Sequence, residues 1–194
     1  MVNLTRIYTR TGDQGTTRLA NNDIISKTHA IMEAVGSIDE ANCAIGLALA
    51  VPDLDTRLAA VLSGLQNDLF DLGADIATPL DPPPAHPVPR VTDAWVTRLE
   101  GWCDEFSQDL PALRSFVLPG GSTAAAALNL ARAIVRRAER DAWRVAESAE
   151  VNACCLRYLN RASDLLFILG RAANRTQGRA ETLWVPLGGE GRAG

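Results

Sequence analysis

A chain of 194 residues with 47% hydrophobic and 22% charged residues can bury one sizeable core and has the composition of an ordinary globular domain. Its formal net charge of −4 gives no global attraction for nucleic acid, so an anion site has to come from local clustering. Four cysteines (Cys43, Cys103, Cys154, Cys155) without ligand spacing and only two histidines speak against a zinc centre and fit thiols in a reducing cytoplasm, and neither a signal-peptide core nor an apolar run of membrane-spanning length is seen.

Residues 1–26 are polar and rich in turn formers, with "TRIYT" as a brief extended piece. The stretch "IYTRTGDQGTTRL" gathers hydroxyls and glycines around two arginines. Such a loop is either a plain turn or a wrap for a phosphate chain, because glycines let backbone N–H groups approach an anion. From Lys27 to Ala50, the positions Ala34, Val35, Ile38, Ala41, Ile45 and Leu49 keep helical spacing, and Pro52 closes the segment. A second helix is expected from Asp55 to Ala77, with Leu58, Leu62, Leu65, Leu69, Leu72 and Ile76 on one face. The proline-rich "TPLDPPPAHPVPR" is then an extended connector. Thr92 is placed to cap a third helix carrying Val96, Leu99, Cys103 and Phe106.

After the break at "LPGGS", a fourth helix is expected over Ser122–Glu147 and a fifth over Glu150–Thr176, followed by a glycine-rich tail. The reading is one all-α domain: residues 1–26 as an irregular N-terminal segment, 27–177 as a five-helix bundle and 178–194 as a C-terminal tail.

The fourth helix is unusual. Arg132, Arg136 and Arg140 stand at i, i+4 and i+8, which aligns three guanidinium groups along one stripe. Glu139 can relieve part of the repulsion, and Arg137 with Asp141 makes an i, i+4 pair on the next face. Two readings stay open: a solvated face, or a row of forked donors matched to phosphate or carboxylate in a groove or at another subunit. On the fifth helix Asn160, Ser163 and Phe167 share a face. A buried asparagine there would be a core hydrogen-bonding device or a ligand contact. Arg161 and Asp164 form a pair of either surface or interface type.

Four blocks, "YTRTGDQGTT", "EAVGSIDEAN", "FVLPGGS…LARAIVRRAER" and "YLNRASDLLFILGR", resemble the PduO-type ATP:cob(I)alamin adenosyltransferases in order and spacing, from Ile7 to about Trp184. The resemblance implies a homotrimer with ATP held between adjacent subunits. Thr9, Arg10, Thr11, Gly12, Asp13, Gly15, Thr16 and Thr17 would wrap the triphosphate and its magnesium, and Lys27 would reach the nucleotide. Arg136, Glu139, Arg140 and Asn160 match nucleotide-binding positions, while Arg132 matches an arginine paired across the subunit boundary with an aspartate, here Asp39. Phe116 matches the aromatic below the cobalt of the corrinoid, bordered by Ser163 and Phe167; the residues alone would make Phe116 a core anchor. Asn129, Ala162 and Ile31 depart from the residues common at those family positions.

The implied reaction is attack of cob(I)alamin on the 5′ carbon of ATP, giving adenosylcobalamin and triphosphate. It needs no protein nucleophile, and the sequence has no Ser-His-Asp or Cys-His pattern to offer one. A reductase and a cobalamin-dependent mutase are implied partners; nucleic acid and membrane are not. The rival readings are a non-catalytic helical assembly protein and an ATP hydrolase. The second would lack both the GxxxxGK[ST] pattern and strand–helix alternation.

Overall fold

Apolar residues recurring every three or four positions force each long segment to bury one stripe, and the helices form where that spacing runs. The computed structural model describes residues 8–84 and 86–186, with helices α1 (Ala30–Leu49), α2 (Thr56–Ile76), α3 (Asp93–Ser107), α4 (Thr123–Ala146) and α5 (Ala153–Thr176). Every apolar position expected on α2 is buried, as are Tyr158, Leu159, Ala162, Leu166 and Leu169 on α5.

The helix starts differ from expectation where a polar residue stops the chain early. Lys27 lies in a turn before α1, and the His29 Nδ1 atom accepts from the Ile31 N–H at 3.2 Å. Asn152 caps α5 by accepting from the Cys154 N–H at 3.0 Å, so that helix begins at Ala153 rather than Glu150. Asp55 and Ser122 cap α2 and α4, but Thr92 occupies the cap position of α3 without a side-chain cap bond.

Helix α4 is the spine of the bundle, packed most extensively on α1 and next on α5. Its buried face is mainly alanine (Ala124, Ala125, Ala131, Ala138 and Ala142), and short side chains let helix axes approach. Two polar stitches cross the α1–α4 seam. Ser37 Oγ donates to Asp141 Oδ2 at 2.5 Å, and Glu40 pairs with Arg137. The expected Arg137–Asp141 pair is therefore absent: Asp141 turns inward, is only 3% exposed and takes Arg144 as its cation.

Two other buried carboxylates fix the far side. Asp68 accepts from the Tyr158 hydroxyl at 2.6 Å and pairs with Arg98, whose guanidinium lies 5.5 Å and 5.3 Å from the Trp95 and Trp102 ring centres. Burial, reinforced by Asp68, holds the Tyr158 proton far above its usual range, so the phenol stays a donor. Asp75, in the last turn of α2, clamps the proline connector. It accepts from Arg90 Nη1 at 2.6 Å, from the Val91 N–H at 2.7 Å and from Asn152 Nδ2 at 2.7 Å.

The N-terminal segment is more ordered than "irregular" suggests. β1 (Thr16–Arg18) and β2 (Ile24–Ser26) form an antiparallel hairpin in the register Thr16↔Ser26, Thr17↔Ile25 and Arg18↔Ile24. Asn22 at φ 70° supplies the left-handed residue of its turn. Leu19 is buried in the core and Ile25 packs against it, which anchors the hairpin to the bundle. Of "TRIYT", residues 5–7 lie outside the described residues; Tyr8 and Thr9 are not strand. The tail glycines at 188, 189, 191 and 194 also lie outside them.

Candidate functional site

The arginine stripe of α4 is flanked by two grooves. The first, about 670 Å³, is lined by Phe116, Arg132, Arg136, Ser163, Phe167 and Trp184, among others. Five of these six were expected at a site from the sequence. They come from the loop before α4, the middle of α4, the middle of α5 and the C-terminal tail.

Phe116 is held by its backbone while its ring stays 78% exposed, so it is not a core anchor. The Trp184 N–H donates to the Phe116 carbonyl at 2.7 Å, the Leu118 N–H donates to the Thr182 carbonyl at 2.8 Å, and the two rings meet edge-on at 6.0 Å. The glycines that follow are clamped from α5. Asn174, 3% exposed, accepts from the Ser122 N–H at 2.8 Å and donates to the Gly120 carbonyl at 3.2 Å. Gly121 sits at φ 101°, and a Cβ there would run into the Asn174 amide. Only glycine satisfies both conditions. Arg171 adds a bond to the Pro111 carbonyl and a pair with Glu181 at 2.6 Å, so one turn of α5 secures loop and tail together.

Inside this groove Arg132 lies against Phe167, its guanidinium carbon 5.9 Å from the ring centre. Its buried Nε has no hydrogen-bond partner, and neither Arg132 nor Arg136 makes an ion pair among the described residues. A buried donor without an acceptor costs free energy, so such groups are kept where something else supplies the acceptor. Ser163 is buried and bonds back to the Asn160 carbonyl at 2.8 Å.

The second groove, about 370 Å³, lies one turn further along α4 and includes Glu139, Trp143, Asn160, Arg157, Arg161 and Glu100. Asn160 is exposed rather than buried; its Nδ2 donates to Glu139 Oε1 at 3.1 Å. Arg161 is engaged within the chain by Glu100 and Asp164, and Arg157 by Asp93. Arg140 enters neither groove, because its Nη1 bonds back to the Arg136 carbonyl at 2.9 Å.

Two sets of expected residues stand apart from these grooves. Asp39 is exposed, without an ion pair among the described residues, and lines an apolar recess of about 470 Å³ between α1 and α2, beside Asn42 and Phe70. The N-terminal set forms its own cradle. Arg10 and Gly15 take φ 63° and 79°, Thr9 and Thr11 share a hydroxyl contact of 3.0 Å, and Asp13 lies in the turn between them. Lys27 donates its N–H to the Gly15 carbonyl at 2.9 Å and lays its amino end over Gly12, where a Cβ would sit 3.0 Å from Nζ. Thr16 and Thr17 begin β1 beside it.

Sequence reasoning missed Trp184 and Asn174. Each works through a contact distant in the chain, and a lone tryptophan in a tail or a lone asparagine near a helix end carries no pattern. The Gly-Gly pair beside Ser122 was the visible trace of the Asn174 clamp.

A helical bundle with an arginine-walled groove and a glycine-threonine hairpin offers fixed cations and backbone N–H groups to an anionic ligand. A family model described as cobalamin adenosyltransferase matches residues 7–173. The corrinoid adenosyltransferase of Mycobacterium tuberculosis (strain ATCC 25618 / H37Rv) is 52% identical over 189 residues, 96% of each chain. That of Bacillus subtilis (strain 168) is 38% identical over 177 residues, 89% of each. A solved structure of a variant PduO-type ATP:corrinoid adenosyltransferase from Lactobacillus reuteri, complexed with cobalamin and ATP, superposes with a TM-score of 0.89 at 34% identity, covering 93% of this chain and 97% of that one. The chain belongs to the cobalamin adenosyltransferase family. It is an enzyme that moves the adenosyl group of ATP to cobalamin.

Proposed function

We propose that the reaction runs at a composite site closed by a second copy of the chain, with the corrinoid in the Phe116 groove and the nucleotide along the α4 stripe. The observation that carries this reading is the convergence of Phe116, Arg132, Arg136, Ser163 and Phe167 on one groove while Asp39 lies on another face of the same protomer. Arg132 and Asp39 are opposite charges, neither in an ion pair among the described residues, and a head-to-tail ring would bring one protomer's Arg132 to the next one's Asp39. A homotrimer is the assembly we propose.

In this site Arg136 and Lys27, with the backbone N–H groups of the Arg10–Gly15 turn, hold the triphosphate. Arg10, Thr9, Thr11, Asp13, Thr16 and Thr17 frame it. Cobalt(I) attacks the ribose 5′ carbon, the carbon–oxygen bond breaks, and the pair of electrons leaves with triphosphate. The charge growing on that leaving group is what the fixed cations stabilise. The described residues bring no three of His, Cys, Asp and Glu together, and magnesium commonly binds through substrate phosphates with one or two carboxylates. We therefore assign it to the triphosphate, with Asp13 the nearby carboxylate; its part is to neutralise phosphate charge. Glu139 and Asn160 orient the nucleoside.

The exposed Phe116 ring, backed by Trp184, presents an apolar platform. Placed under the corrin, it excludes the lower axial ligand and eases reduction of cobalt(II), which a separate reductase supplies. Delivery of the product to a cobalamin-dependent mutase belongs to the same reading. Four free thiols support a reducing cytoplasm as the compartment.

Anaerobic incubation with ATP and chemically reduced cobalamin tests the reaction through the absorbance change as the cobalt–carbon bond forms. Phe116→Ala should keep ATP affinity and lose most turnover from cob(II)alamin. Wild-type turnover in that variant would remove the platform role. A protein that sediments as a monomer and ignores adenine nucleotides would overturn the composite site.

A further inference from the structure

The frame around Phe116 carries more positive charge than it spends on itself. Residues 108–121 and 171–184, stitched together by backbone bonds, hold Arg114, Arg171, Arg175 and Arg179 against Asp109 and Glu181. Arg171 is taken by Glu181, while Arg175 reaches only the Asp109 carbonyl, which leaves its charge in place. Arg114 makes neither an ion pair nor a ring contact among the described residues. In a chain of net charge −4 this is a local excess of cations.

Arg114 is also well placed. It stands two residues before Phe116, so their Cα atoms lie within about 7 Å of each other. Its neighbours Leu113 and Ser115 both line the Phe116 groove. Ser115 is half-buried and its Oγ donates to the Trp184 carbonyl at 2.8 Å, and the residues on either side of it, Arg114 and Phe116, are the ones left exposed. The loop is braced from α5 by the Arg171 bond to the Pro111 carbonyl and the Arg175 bond to that of Asp109. An uncommitted cation thus sits on the rim of the groove, beside the aromatic platform.

We infer that Arg114 holds the phosphodiester of the corrinoid's nucleotide tail once the lower axial base has been displaced. The inference rests on the composite-site reading, which sets the corrin over Phe116. The displaced base stays tethered to the ring through a phosphodiester with one negative charge, and that tail hangs from the same face of the ring that Phe116 covers. The forked donors of an arginine match two oxygens of such a phosphate. The triphosphate and the tail phosphate are then held by different cations, Arg136 for the first and Arg114 for the second. A tail held at the rim opposes return of the base to cobalt, which adds an attraction to the exclusion exerted by the Phe116 ring.

The test titrates ATP-loaded wild type, Arg114→Ala, Arg114→Lys and Arg114→Glu anaerobically with cob(II)alamin and with cob(II)inamide, the same ring without a nucleotide tail, and follows binding by absorbance. Arg114→Ala should weaken cob(II)alamin binding about three- to tenfold, and Arg114→Glu more, while cob(II)inamide binding and the melting temperature stay at the wild-type level. Arg114→Lys should recover part of the loss, as a point charge without the fork. High salt should bring wild type down to the level of Arg114→Ala for cob(II)alamin. If Arg114→Ala binds cob(II)alamin as wild type does, or loses both corrinoids equally, the tail is not held at Arg114 and the composite site stands. If wild type binds neither corrinoid, both readings fall.

Discussion

Arg90 and Arg132 are both partly shielded arginines of one bundle, and they end in opposite situations. Arg90 Nη1 donates to an Asp75 carboxylate oxygen and to the carbonyls of Asp75 and Thr78 at 2.6–3.0 Å. Arg132 rests on the Phe167 ring with its Nε unmatched. The first cation is consumed by the fold. The second has no ion-pair partner among the described residues, and in the proposed composite site it meets Asp39 of a neighbouring copy. On the proposed site, stability and function fall to different arginines, and substitutions separate the two.

The largest effect is expected at Arg90. Its removal leaves the Asp75 carboxylate, whose side chain is 1% exposed, without its cation and held by the neutral Val91 and Asn152 donors, and breaking such a pair costs about 3–5 kcal/mol. Arg90→Ala should lower the melting temperature by on the order of 10 °C, seen by thermal denaturation, with ATP affinity intact at room temperature. Arg136→Ala should do the reverse, cutting kcat by about 10²–10³-fold with little change in melting. A variant of Arg90 that lost turnover without losing stability would break the distinction.

The smallest effect concerns a thiol beside an engaged cation. Burial first, then Asp164, pushes Cys103 up to about 11, and Arg161 opposes this only in part while it pairs with Glu100 and Asp164. Between pH 9 and 11 the folded state keeps a proton that the unfolded chain releases. The unfolded state then binds fewer protons, and stability falls as pH rises through that window. Below pH 9 Cys103 contributes no slope. Alkylation at pH 9 should label the exposed Cys43 before Cys103, followed by mass spectrometry of the intact chain.

The bundle was legible because its signal is periodic. Leu58 to Ile76 repeats often enough that no single residue decides the outcome, and all six expected positions are buried. Helix starts were less legible, since His29 and Asn152 act through one local bond each. The hairpin of Thr16–Ser26 was missed because its strands are three residues long and half exposed, too short for alternation to show. For the site, matched motifs found Phe116, Arg132, Arg136, Ser163 and Phe167, which share a groove. Asp141, paired with Arg137 from spacing alone, instead buries its charge on Ser37 and Arg144, while Asn160, matched by motif, lies at the surface bonded to Glu139, which leaves aside the core reading and keeps the ligand one. Helical spacing tells which residues are neighbours, and the packing partner decides which way each turns.

The bridge between Val117 and Leu183 gives the C-terminal tail a role that its position in the chain conceals. The ring at Phe116 has almost no side-chain burial of its own to hold it, so its bearing is inherited from the strand of tail running alongside. A chain clipped before Thr182 would keep every helix and all three arginines of the α4 stripe yet lose the splint beneath its aromatic shelf. Such a lesion would register as a failure of chemistry in a protein that melts almost normally.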